Sequence, residues 1–155
     1  MTVTTNTAET KIKIAPWGAY ARKLAAGNPY TPAVVMRQLA HDPLYSVRVR
    51  LAQNYYAPAE ALAILASDKE VLIRRFVADH SKAPAEALVI LSHDEDLDVR
   101  RKVAQNPNTP IETLESLTGD EWWVGHYAQQ TIDSHYAREY ESWREFQDYC
   151  LGFKF

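Results

Sequence analysis

Apolar residues return along this chain at the spacings of short amphipathic helices, and the whole pattern then returns every 26 residues. Four and seven residues after Pro32, Pro58, Pro84 and Pro110 stand Met36 and Leu39, Leu62 and Leu65, Leu88 and Leu91, and Leu114 and Leu117. Small residues follow each pair, at Ala40, Ala66, Ser92 and Thr118. This is one helical stripe, predicted as helix A of each unit. A second stripe marks helix B: Val47, Leu51 and Ala52, then Ile73, Val77 and Ala78, then Val99, Val103 and Ala104. The units beginning at Pro58 and Pro84 agree at 12 of 26 positions, so the repetition is in residue identity as well as in polarity.

The punctuation repeats too. Thr31-Pro32 and Thr109-Pro110 are predicted to start helix A, with threonine at the N-cap and proline at the first helical position, where its missing N–H costs nothing. Thr109 and Glu112 have capping-box spacing. Asp42, Asp68, Asp94 and Asp120 lie ten residues after the prolines and are predicted to cap helix B. Asn28, Asn54, His80 and Asn106 close it, ahead of turn residues. Helices of about three turns are too short to hold alone. Stacking neighbours would bury both stripes, which predicts an all-α solenoid of 26-residue two-helix repeats.

The ends break the pattern. Residues 1–14 are threonine-rich and aperiodic, predicting a flexible N-terminal segment. The repeats occupy 15–120. A half repeat comes first, with Arg22, Ala26 and Asn28 in register with Arg48, Ala52 and Asn54; units starting near 32, 58, 84 and 110 follow. Residues 121–155 read as a degenerate last repeat and a long C-terminal capping helix. Its apolar face would be Ile132, Tyr136, Tyr140, Trp143, Phe146 and Cys150, laid over the open core of the last repeat, with Leu151 to Phe155 folding back on it.

The net charge of −3 gives the whole chain no nucleic-acid signature. The single cysteine, Cys150, excludes a disulfide or a cysteine-ligated cluster within one chain and fits a reducing compartment. No secretion-signal pattern or membrane-length apolar run is visible, so the expected location is the cytoplasm.

The run Val103-Ala104-Gln105-Asn106-Pro107-Asn108-Thr109-Pro110-Ile111-Glu112-Thr113-Leu114-Glu115-Ser116-Leu117, with Asp94 and Val99-Arg100 before it, resembles the leucine-rich repeat variant of bacterial proteins, related in shape to HEAT and armadillo repeats. The resemblance covers residues 20 to 120. It implies stacked helix pairs, one of each pair sometimes a 3₁₀ helix, in a right-handed superhelix. The iron–sulfur module of some members does not carry over, because its cysteines are missing, and the family offers no shared catalytic residues.

Two sets of residues are candidates for chemistry. At about 100° per residue, Arg48 falls inside the apolar arc of helix B, as do Arg74 and Arg100. A cation there needs a partner, and Asp42, Asp68 and Asp94 are the natural ones, which gives either a structural ladder or a set of ligand contacts. The next two positions face outward. They form a strip of Val49, Arg50, Arg75, Phe76, Arg101 and Lys102, read either as a solvated face or as a binding surface, since arginine and aromatics are enriched in hot spots. Trp122 and Trp123 adjoin His126 and Tyr127 where the repeat breaks down; they either cap the last repeat or meet a partner.

No catalytic residues, cofactor site or metal site are assigned. His93, Asp94 and Asp96 have metal-like spacing, but Asp94 is accounted for by its repeat position. The expected function is a non-enzymatic protein-interaction scaffold with an unidentified protein partner and no membrane. The alternative is nucleic-acid binding through the same Arg/Lys strip.

Overall fold

The computed structural model describes residues 17–151, with side chains described to residue 144. All regular structure among these residues is α-helical. The helices are α1 (Ala19–Gly27), α2 (Ala33–Leu39), α3 (Tyr45–Ala52), α4 (Ala59–Leu65), α5 (Val71–Ala78), α6 (Ala85–Leu91), α7 (Leu97–Gln105), α8 (Ile111–Leu117) and α9 (Trp122–Leu151). Helices α2, α4, α6 and α8 are the A helices; α1, α3, α5, α7 and the start of α9 are the B helices. Both helices of each pair are α. The B helices stack in one row, α1 on α3, α3 on α5, α5 on α7 and α7 on α9. In the other row α2 packs on α4 and α4 on α6, while α8 lies against α9. The molecule is an α-solenoid of two layers with one core running between them.

That core is made of the predicted stripes. Met36, Leu39, Leu62, Leu65, Leu88, Leu91, Leu114 and Leu117 from the A helices are buried, as are Val47, Leu51, Ile73, Val77, Val99 and Val103 from the B helices. Each such aliphatic side chain contributes about 1.5–3 kcal/mol by leaving water. A helix of two turns holds because its stripe is buried on both neighbours.

The caps differ from the sequence expectation. The A helices begin one residue after the proline. Pro32 and Pro110 sit at the N-cap with ψ of 142° and 143°. The carbonyl of Pro32 accepts from Val35 and Met36, and that of Pro110 from Thr113 and Leu114. Thr31 and Thr109 therefore do not cap helix A. Their hydroxyls reach back and donate to the carbonyls of Ala25 and Val103, at 2.8 and 2.7 Å. Each adds a second bond to a carbonyl that already accepts the C-cap N–H of Asn28 or Asn106 at the end of the preceding B helix. Asp42, Asp68 and Asp94 likewise stand two residues before the N-caps of the B helices and do not cap them. Each accepts the backbone N–H two residues on, at 2.9–3.0 Å. Of α1, α3, α5 and α7, α7 alone has a side-chain cap, Asp96 accepting from the N–H of Val99.

The C-terminal helix also departs from its prediction. Val124, Ala128 and Ile132 are buried, so its first three turns close the repeat stack. Beyond them Tyr136, Tyr140 and Trp143 are exposed among the described residues. The predicted apolar face is a cap for three turns and a projecting stripe after that. Phe146 and Cys150 from that face, the segment after Leu151, and residues 1–14 lie outside what is described.

Candidate functional site

Four arginines tie the repeats together. Arg22, Arg48, Arg74 and Arg100 each place Nε 2.6 Å from a carboxylate oxygen of the aspartate twenty residues on: Asp42, Asp68, Asp94 and Asp120. In the last three, Nη1 donates to the backbone carbonyl of the aspartate of its own unit, Asp42, Asp68 or Asp94, at 2.8–3.1 Å. One guanidinium thus joins the loop before its own B helix to the corresponding loop of the next repeat. The fork geometry requires arginine; an ammonium could not make both contacts in a plane. Arg48 and Asp68 have side chains only 8% and 6% exposed. Burial works to raise the carboxyl pKa of Asp68 and of Asp94. The arginine hydrogen bond, the turn N–H and the arginine charge outweigh it and hold both below the ordinary value. For Asp120 the hydrogen bond from Arg100 is the largest influence, with the same net direction. The partnered guanidinium groups of Arg48, Arg74 and Arg100 are correspondingly raised. The series ends at His126, which stands in the arginine register and is exposed, stacked on Trp122.

A second ladder runs along the other end of the B helices. The residues that close them read only as helix ends in the sequence. Asn54 donates to the carbonyl of Ala26 at 2.9 Å, and Asn106 to those of Ala78 and His80 at 2.8 and 3.1 Å. Each also accepts the N–H two residues on, from Tyr56 or Asn108. His80 does both jobs with a ring. Nδ1 accepts from the N–H of Lys82 at 3.0 Å, so Nε2 carries the proton that meets the Asn54 carbonyl at 3.1 Å. Thr131 of α9 ends this ladder by donating to the carbonyl of Ala104. The 26-residue recurrence of these residues was the signal available; what it omits is that their side chains bond between repeats.

The outward strip is not uniformly free. Arg75 is 3.4 Å from Asp98, Arg101 is 2.6 Å from Asp98, and Lys102 is 2.8 Å from Asp79. Phe76 is half-buried, packed against the core rather than standing clear of it. Arg50 is exposed and makes no ion pair among the described residues. Trp122 and Trp123 are both exposed and meet edge to face at 4.4 Å. Trp123 borders a cleft with Leu97, Asp98, Arg101 and Tyr127. Tyr55 and Tyr56 pack edge to face in the loop after α3, with the Lys82 ammonium 4.5 and 5.2 Å from their ring centres.

Among the described residues no group of three or more His, Cys, Asp or Glu is placed to hold a metal ion, and His93, Asp94 and Asp96 do not form one. No described helix is long and apolar enough to cross a membrane. No curated protein and no solved structure matches the chain. The family model described as leucine rich repeat variant, a HEAT-like helical repeat, matches residues 97–121, which run from the start of α7 through α8 to the turn before α9. The unit at residues 97–121 is thus similar to a leucine rich repeat variant, and the stacked pairs and paired loops before it repeat the same arrangement.

Proposed function

We propose that the chain is a non-enzymatic scaffold that binds another protein through the outer face of its B-helix row and the aromatic cluster at the start of α9. One observation carries this reading. Large aromatics stand exposed along that face and its ends, where they contribute little to the core: Tyr55, Tyr56, Trp122 and Trp123 are all more than half exposed. Aromatics beside arginine make up the usual composition of a protein-binding hot spot. The contact residues on this reading are Arg50, Phe76, Trp122 and Trp123. Arg75, Arg101 and Lys102 border them and are already paired. Asp42, Asp68 and Asp94, with Arg48, Arg74 and Arg100, have a structural role in holding the face in shape.

Nucleic-acid binding through the same strip is less well supported. Three of its cations are engaged by Asp79 and Asp98, and those carboxylates would face the phosphates.

Tagged protein is to be incubated with nuclease-treated host lysate and the bound material identified by mass spectrometry, for the wild type and for Trp122→Ala/Trp123→Ala. Both tryptophans are exposed, so the variant should keep its helical circular dichroism. A protein recovered with the wild type and lost with the variant is the expected result. Recovery of nucleic acid alone, when nuclease is omitted, with steep loss at higher salt, would overturn the reading in favour of phosphate binding.

A further inference from the structure

We infer that a furrow across the first three B helices holds a short, extended, acidic segment of the partner protein. The inference rests on the protein-binding reading and adds to it a place and a ligand chemistry.

Three shallow depressions on this face share walls. The first lies between Tyr20, Lys23 and Arg50. The second shares Gly27, Pro29 and Arg50 with it and continues to Gln53 and Tyr55. The third shares Gln53 and Tyr55 with the second and runs on to Phe76 and Asp79. Together they make one furrow over α1, α3 and α5. Packed helices lie about 8–10 Å apart, so the furrow spans about 16–20 Å. That is the length of five or six extended residues, at about 3.3–3.6 Å each.

The repeat itself identifies which cations are free to meet a ligand. Lys102 is paired with Asp79, twenty-three residues before it. The residue in Arg50's register is Lys102's equivalent two repeats earlier, and the position twenty-three before Arg50 is Gly27. Arg75 is paired with Asp98, twenty-three residues after it; the residue twenty-three after Lys23 is Ser46. In both registers the C-terminal half supplies a carboxylate and the N-terminal half supplies none. Gly27 does more than omit the acid. A Cβ there would lie 2.4 Å from Arg50 Nε, so the missing side chain makes the notch in which the arginine lies across α1.

Among the described residues Lys23 and Arg50 therefore line the furrow with positive charge that no carboxylate pairs. The rings of Tyr20, Tyr55 and Phe76 give it apolar walls, and the Lys82 ammonium stands over the Tyr55 ring at its edge. Asp79, paired with Lys102, closes the far end and adds no unpaired cation there. Carboxylates on an extended peptide fit this distribution. A nucleic-acid strand fits less well: its affinity comes from neutralising many phosphates in a row, and this furrow offers three cations before it ends on the Asp79–Lys102 ion pair.

The probe is a displayed library of random heptapeptides, selected on the wild type, on Arg50→Glu and on Gly27→Ala. Helical circular dichroism and melting temperature serve as folding controls, because Arg50 is exposed and Gly27's obstruction is only a flexible side chain. The expected result is a selected pool enriched in Asp and Glu. Its best peptides should lose about tenfold or more in affinity on Arg50→Glu, and less on Gly27→Ala. A pool without acidic enrichment, or one that binds Arg50→Glu equally well, overturns the inference. Arg50-dependent binding of a labelled ten-nucleotide uridine strand, without peptide enrichment, would reassign the furrow to nucleic acid. A lysate partner that is lost on Trp122→Ala/Trp123→Ala but retained on Arg50→Glu would sink the furrow assignment and leave the scaffold reading standing.

Discussion

Replacing Asp94 by alanine removes the acceptor at the centre of the solenoid. Asp94 takes Nε and Nη2 of Arg74 at 2.6 and 2.9 Å, and its Oδ1 also accepts the N–H of Asp96 at 2.9 Å. The two side chains are 12% and 6% exposed, so Arg74 would be left as a nearly dry, half-partnered cation. Breaking a buried pair from one side costs about 3–5 kcal/mol. Here Arg74 keeps the carbonyls of Asp68 and Lys69 and has Glu95 at 3.5 Å, which lowers the expected loss to about 2–4 kcal/mol. The loss should be local to the junction between repeats, because stability in a stacked array is carried by such interfaces. Urea unfolding followed by circular dichroism should show a lower midpoint, and a lower slope if the two halves begin to melt apart. A cycle with Arg74→Met should give a coupling of about 1.5–3 kcal/mol, with the double variant more stable than Asp94→Ala alone. A loss under about 1 kcal/mol, or a coupling under about 0.5 kcal/mol, which is the scatter of unrelated sites, would refute the view that the ladder holds the repeats together.

Four further outcomes follow from contacts along the stack. Asp68, Asp94 and Asp120 are held below the ordinary carboxyl value in the folded chain, so their contribution is fully present above the unfolded value of about 4 and is lost as pH falls through the lower folded values. Melting temperature should therefore fall on acidification below about pH 4, and an unchanged melting temperature down to pH 2.5 would contradict the depressed carboxyls. His80→Asn should be nearly neutral, because asparagine makes both bonds at Asn54 and Asn106, whereas His80→Ala should cost about 1–2 kcal/mol; equal losses would show that the ring is there for packing. Gly125→Ala should cost about 1–3 kcal/mol despite the better helix propensity of alanine, because its Cβ would lie 2.6 Å from the rigid Thr118 carbonyl. Gly27→Ala meets only the Arg50 side chain and should leave thermal stability unchanged.

The difference between those two glycines shows where the sequence is readable and where it stops. Every apolar position named from the 26-residue recurrence in the first three units is buried, because periodicity reports which face a helix turns inward, and in a stack that face has only one place to go. The partner of each arginine was harder to read. An apolar-arc arginine demands an acceptor, but whether it comes from its own unit or the next depends on loop geometry; the structure takes the carbonyl from one and the carboxylate from the other. The closing asparagines and His80 carried the same period and read only as helix ends, since a side-chain amide has the same appearance in sequence whether it bonds locally or across repeats. In the last unit Val124 and Ala128 are buried one position ahead of the recurrence; of the recurrent positions, Gly125 is buried against the end of α8 and Gln129 is exposed. Beyond Ile132 the predicted face turns to water at Tyr136, Tyr140 and Trp143, so a face continuous in sequence is part cap and part exposed stripe. Pairing on the outward strip was only partly visible. Arg101 meets Asp98 three residues away on its own helix, an ordinary helical spacing, but Arg75 and Lys102 find carboxylates twenty-three residues away, which is neither a helical turn nor the repeat, and Arg50 stands out only once those pairs are known. The recurrence therefore identifies what all repeats share, which is the core and the ladders. The binding surface has to be sought where one repeat differs from the next, and Gly27 opposite Arg50 is the clearest such place on this molecule.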